Sequence, residues 1–190
     1  MATATTSISS FKGALAHGGA RPSLFEMSVT NPSEVTGSFT DMATHCNVSA
    51  IPPLTVTPIE RQYFGRTVKI PGDMVFGDLS TTIINSEKFS LKTVIEDWMD
   101  NINSTGSNKG FSDSDSGYGT VTLTQYAKDG SSLLSWTFVD CWPQTVSEIA
   151  LSYDTASDIE QFDVTWAYNY YTQKKGTASH TGLSTFAAQK

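Results

Sequence analysis

Residues 59–104 constrain what this chain can fold into more than any other stretch. Two β-like runs, 64–70 and 79–84, flank the turn-forming Pro71-Gly72-Asp73, and the second leads into a segment with helical periodicity. There Leu91, Val94, Ile95, Trp98 and Ile102 recur at helical spacing as one apolar stripe, leaving Lys92, Glu96, Asp97 and Asp100 to solvent. A helix over 89–102 is therefore expected to lay one face on a sheet. Asn85 and Ser86 precede it with side-chain acceptors for the unpaired amides of its first turn. Most of the rest reads as strands and loops, so the expected fold is mainly β: an antiparallel β-sandwich or barrel with one flanking α-helix.

The strands follow from alternation. Phe25, Met27 and Val29 alternate with polar neighbours and open the first. Residues 54–59 and 64–70 read as two strands or one long bent strand, irregular at Pro58 or Gly65, and residues 42–50, with a broken alternation, are expected to partner them in a long bent hairpin arm. Residues 120–126 and 133–139 form the clearest hairpin, because Asp129-Gly130 supplies the positive φ that a tight turn needs. Cys141-Trp142-Pro143 ends it, and 149–153 make a short strand. In 161–170, Phe162, Val164, Trp166, Tyr168 and Tyr170 share one face and close the core, with Tyr171 expected outside. The packing of helix on sheet is assigned to Phe25, Leu91, Ile95, Trp98, Phe162, Val164 and Trp166. Residues 104–119 lack periodicity and read as a mobile loop. The expected organisation is a flexible or partner-ordered arm (1–20), one β domain (21–171) and a tail (172–190).

The chemistry of catalysis or ligand binding is hard to find. With 12 Lys+Arg against 19 Asp+Glu, a formal charge of -7 speaks against an open basic surface that grips phosphates. Cys46 and Cys141 lie far from each other and from the histidines, which argues for free, partly buried thiols and against a zinc site. His17, His45 and His180 are scattered, with no nucleophile motif beside them. The acidic run from Asp113 to Tyr118 has Tyr118 where a calcium loop requires glycine. Gly117-Tyr118-Gly119 precedes a strand, the wrong context for a dinucleotide loop. No apolar run is long enough for a membrane span. No catalytic residue, cofactor, metal or membrane partner is expected.

A series of segments, taken in order, carries a family resemblance. They are Ala20-Arg21-Pro22-Ser23-Leu24-Phe25 at the first strand, residues 46–53 leading to Ile51-Pro52, and Gly72-Asp73 with Phe76 and Asp78 before 79–85. Asp97-Trp98 in the helix, residues 125–129 at the hairpin, Trp142-Pro143 after it and residues 159–165 in the last strand complete the series. Over about residues 20–171 the chain resembles the tail tube proteins of contractile-tailed bacteriophages, the T-even-type family, related to pyocin-type and type VI secretion tubes. The resemblance implies a ring-forming structural subunit of a phage tail tube and no enzyme. Its hexameric rings would stack into a hollow conduit for DNA delivery inside a contractile sheath.

The implied partners are further copies of the chain, sheath and baseplate proteins, and double-stranded DNA that passes without sequence-specific binding. The implied location is the virion, after assembly in the host cytoplasm. Candidate ring or lumen residues are Tyr63, Phe64, Gly65 and Arg66 on one hairpin and Tyr126, Lys128, Asp129 and Gly130 on the other. The arm and residues 104–119 are candidates for contacts between rings. The alternatives are a tube or baseplate-initiator ring of a related injection or secretion system and a monomeric carbohydrate-binding β-sandwich that uses its exposed aromatics.

Overall fold

The computed structural model describes residues 8–15, 18–111, 114–154 and 158–176. In chain order the elements are α1 (Ile8–Ala14), β1 (Phe25–Thr30), α2 (Met42–His45), β2 (Cys46–Ser49), β3 (Leu54–Tyr63) and β4 (Arg66–Phe76). There follow β5 (Leu79–Ile84), α3 (Ser90–Ile102), a 3-10 turn (Ser114–Gly117), β6 (Gly119–Tyr126), β7 (Ser132–Val146), β8 (Gln161–Ala167) and β9 (Tyr170–Lys175). His17, His180, Asp113, the start of the arm and the tail beyond Gly176 lie outside the described residues.

Seven strands form one antiparallel path, β1-β6-β7-β8-β5-β2, with β9 also on β7. The path divides into two layers along β7. Up to Val139 that strand pairs with β9 on one side, and it pairs with β6 on the other up to Cys141, past a bulge; from Trp142 onward it pairs with β8. Asp140, at φ 53, marks the change of layer, a left-handed backbone turn that Asp tolerates better than most residues. Trp142 faces Ala167 and Val139 faces Tyr170, so β8 and β9 keep one register along β7 across the break. Asn169 secures the junction, donating its backbone N–H to the Val139 carbonyl (3.2 Å) and its side-chain amide to Asp140 Oδ2 (3.0 Å).

The core is a single cluster. Met27, Val121, Leu123, Trp136 and Phe138 come from one layer, Leu79, Ile83, Phe162, Val164 and Trp166 from the other, and Leu91, Ile95 and Trp98 from α3. Phe25 is half-buried against it. Trp98 is its pivot: fully buried, with ring centroids 5.9 Å from Trp166 and 6.0 Å from Phe39, and its indole N–H donates to the Gly117 carbonyl at 3.0 Å. That bond satisfies the one polar group the indole carries into the core. The close approach requires glycine at 119, where a Cβ would stand 2.5 Å from Trp98 Cη2.

Several elements differ from the sequence expectations. Residues 42–50 do not partner the hairpin arm: they form the short helix α2 and then β2, which pairs with β5. Pro71-Gly72-Asp73 lies inside β4 and makes no turn. Among the described residues β3 and β4 pair only with each other, so a proline there takes no hydrogen bond from a flanking strand. The turn is Phe64-Gly65, both at positive φ. α3 begins after Phe89 without a side-chain cap, and Asn85 donates its amide to Glu160 Oε2 (2.9 Å) instead.

β7 does not stop at Pro143, residues 149–153 form no strand, and the strand after Asn169 runs on to Lys175, past the expected start of the tail. Both β7 and its partner lose alternation at the layer change. This turns Tyr170 outward and Tyr171 inward, where Tyr171 pairs with the buried Phe138. The later part of the 104–119 segment is packed, with Gly117 and Gly119 buried, and the arm carries the short helix α1.

Candidate assembly surface

β3 and β4 form a separate sheet that extends from the body as a hairpin of 10 and 11 residues. At about 3.3 Å per residue such strands reach roughly 30 Å. The side chains of β3 are all exposed, and β4 has only Gly72 and Phe76 partly covered. Ile59, Tyr63, Phe64, Val68, Ile70 and Met74 are nonetheless large and apolar.

Cross-strand register sorts these residues onto two faces. Tyr63 opposes Arg66, Arg61 opposes Val68 and Ile59 opposes Ile70, so the outer half of one face is apolar and basic. The other face there is polar: Lys69 pairs with Glu60 (3.2 Å) and Gln62 donates to Thr67 Oγ1 (3.0 Å). Between Val56 and Pro58 the register shifts, and below the shift Val56 opposes Met74 and Leu54 opposes Phe76. Because β3 alternates without interruption, Leu54 and Val56 share the face of Glu60, and the apolar surface changes sides at this bulge. Gly72 permits it, since a Cβ there would lie 2.5 Å from the Thr57 carbonyl oxygen.

An aromatic cluster anchors the hairpin base. Phe76 meets Tyr171 at 5.5 Å and Tyr168 at 6.2 Å, and Phe138 meets Tyr168 at 4.9 Å, mostly edge to face. The Tyr168 hydroxyl donates to the Gly77 carbonyl at 2.6 Å. Burial is the largest influence pushing the Tyr168 pKa up from 10.0 to about 12. A phenol raised in the folded state contributes stability that is complete below pH 10.0 and is lost as pH rises through about 12. Tyr168→Phe is expected to flatten that alkaline limb, to cost about 1 kcal/mol at neutral pH, and to speed amide exchange at the hairpin base. Denaturation across pH with hydrogen exchange checks it; unchanged exchange at residues 53–56 and 74–77 would discount the anchor.

The second candidate hairpin is built differently. Its strands β6 and β7 lie inside the seven-stranded path, and only its turn projects: Lys128, Asp129 and Gly130 are exposed, with Gly130 at φ 84. Asp129 Oδ1 accepts from the Ser131 backbone and hydroxyl, which fixes the turn. The Tyr126 hydroxyl donates to Glu26 Oε2 at 2.6 Å, and that bond raises its pKa. Tyr63, Phe64, Gly65 and Arg66 therefore belong to one sheet and Tyr126 to Gly130 to another. Tyr63 to Arg66 are candidate contact residues that the sequence does not mark as a turn, and no local signal announces the exposure of Leu151, Tyr153 and Ile159 between β7 and β8.

The sheet also has open edges, since β1 and β2 end the path and β9 has no partner beyond β7 among the described residues. A cleft of about 370 Å³ runs beside β1, walled by Glu26, Asn31, Phe39 and Thr40. Unpaired edge strands are templates for pairing with another chain. Among the described residues no group of three His, Cys, Asp or Glu side chains could hold a metal ion. Cys46 and Cys141 are free thiols, pushed up to about 11 and about 12 by burial.

A sequence model of the phage tail tube protein family matches residues 20–174. The chain is 26% identical over 153 residues to tail tube protein gp19 of Enterobacteria phage T4, covering 80% of this chain and 90% of that protein. Among solved structures it is similar to a chain of the sheath-tube complex of the PVC extracellular contractile injection system (TM-score 0.60, 17% identity, 90% of this chain and 99% of that one). It is also similar to a chain of the anti-feeding prophage baseplate (TM-score 0.63, 9% identity, 83% and 96%).

Proposed function

The chain belongs to the phage tail tube protein family, and from that premise we propose that its copies close into hexameric rings that stack into a hollow conduit inside a contractile sheath. It is a structural subunit of a tail tube. The observation that carries the finer reading is the hairpin β3–β4: two long, mutually paired strands with large apolar side chains in water. A monomer gains nothing from such a surface, whereas an assembling subunit buries it. The open edges at β1, β2 and β9 suit contacts within a ring, where a heterologous interface closes if its rotation divides a full turn.

In this reading residues 21–171 hold the tube domain, and the hairpin tip from Tyr63 to Arg66 makes contacts between copies. The turn from Lys128 to Gly130 stands nearer the ring face or lumen. Sheath and baseplate proteins are the outer partners, and the assembled tube resides in the virion after assembly in the host cytoplasm. Double-stranded DNA passes through without sequence-specific binding. The formal charge of -7 is consistent with that passage, because a wall short of Lys and Arg offers few phosphate contacts to stall a duplex.

Negative-stain microscopy of the purified chain tests the proposal. Rings or hollow tubes are the expected result, and a persistent monomer over the whole accessible concentration range would overturn it.

A further inference from the structure

We propose that ring-to-ring order is set by one heterologous contact: the outer apolar and basic face of hairpin β3–β4 in one copy seats on the acidic, apolar segments 147–154 and 158–160 of the next. The inference rests on the tube reading above and names the surfaces that make the stack. Topology puts the two elements at opposite ends of the β5–β8 layer. Leu79, just after the hairpin, opposes Trp166, whereas Ile84 at the other end of β5 opposes Gln161, where the loop enters β8. A projection at one pole and its complement at the other is the arrangement that propagates head to tail.

The two surfaces match in chemistry. At the hairpin tip Tyr63 is 67% and Phe64 90% exposed; in the loop Leu151 is 86%, Tyr153 105% and Ile159 68% exposed. Around the first set stand Arg61 and Arg66, neither of which has an ion-pair partner among the described residues. Around the second stand Glu148, Asp154 and Asp158, all exposed, with no basic residue between 147 and 160. Glu87 and Lys88, on the adjoining turn after β5, offset one another. Each surface pairs a desolvatable apolar centre with charge of one sign, and the signs are opposite, which favours this pairing and penalises tip against tip.

Charge exchange tests the contact. Arg61→Glu with Arg66→Glu, or Asp154→Lys with Asp158→Lys, is expected to lower the pelleted tube fraction about tenfold or more, with far-ultraviolet circular dichroism unchanged. The chain carrying all four reversals should recover most of that loss. Wild-type tube yield from both two-site variants, or no recovery in the folded four-site chain, overturns the proposal. A second measurement separates it from the tube reading. A Phe64→Cys chain is mixed with a Leu151→Cys chain under oxidised glutathione, conditions in which the partly buried Cys46 and the buried Cys141 stay protonated and slow. A disulfide-linked heterodimer supports the contact even if no tubes form, and its absence from intact tubes overturns the contact while leaving the tube reading in place.

Discussion

Trp98→Ala should destabilise the isolated subunit by about 3–5 kcal/mol, a large part of the roughly 5–15 kcal/mol that holds a typical domain together. The indole is fully buried between Phe39 and Trp166. It lies over a glycine whose missing side chain makes room for it. Its removal leaves a cavity that a sheet shared between two layers cannot collapse into, and it also orphans the Gly117 carbonyl that the indole N–H satisfies. Trp98→Phe keeps much of the packing and loses that bond, so it should cost less. Urea denaturation followed by circular dichroism ranks the three proteins. A loss below about 1 kcal/mol for the alanine variant would mean that α3 is only loosely held.

Shortening the hairpin should have the opposite profile: no change in folding and complete loss of assembly. Pro58 and Pro71 face each other across β3 and β4, so a two-residue Asn-Gly turn can join them in place of residues 59–70. The removed side chains are all exposed and none belongs to the core. Stability should stay within about 0.5 kcal/mol of the full chain, while rings and tubes disappear from electron micrographs. If the shortened protein built tubes of ordinary length, the hairpin would be dispensable and its apolar surface would need another explanation.

Much of the fold was legible because it rests on periodicity. The stripe through Leu91, Ile95 and Trp98 appears in the structure as the buried face of α3, and Asp129-Gly130 as the turn between β6 and β7. What escaped was pairing. Pro, Gly and Asp serve a bulge as well as a turn, so Pro71-Gly72-Asp73 gave no means of telling the two apart. Phe64-Gly65 lacks the usual Asn or Asp, so the true turn passed as an irregularity.

Likewise, β7 runs through Pro143 because the pairing with β8 shifts register there, which no local pattern records. The alternation of residues 149–153 suggested a strand, yet an alternating segment becomes one only where a neighbour offers hydrogen bonds. Tyr63 to Arg66 were legible as candidate contact residues, though not as the tip of a hairpin. The acidic loop was not, since its meaning depends on which pole of the layer it occupies.

The topology also has a consequence in time. The β3–β4 hairpin joins neighbours in sequence across a tight turn, an event of about 1–10 μs. The body that carries it must instead bring Phe25 beside Gln125 and Leu79 beside Trp166, long loops that close slowly. During synthesis and refolding the exposed apolar hairpin can thus form, if only transiently, before the scaffold that aims it. For a protein of this shape the hazardous interval is the one before the body closes, when hairpins can meet without the geometry that would make their meeting a tube.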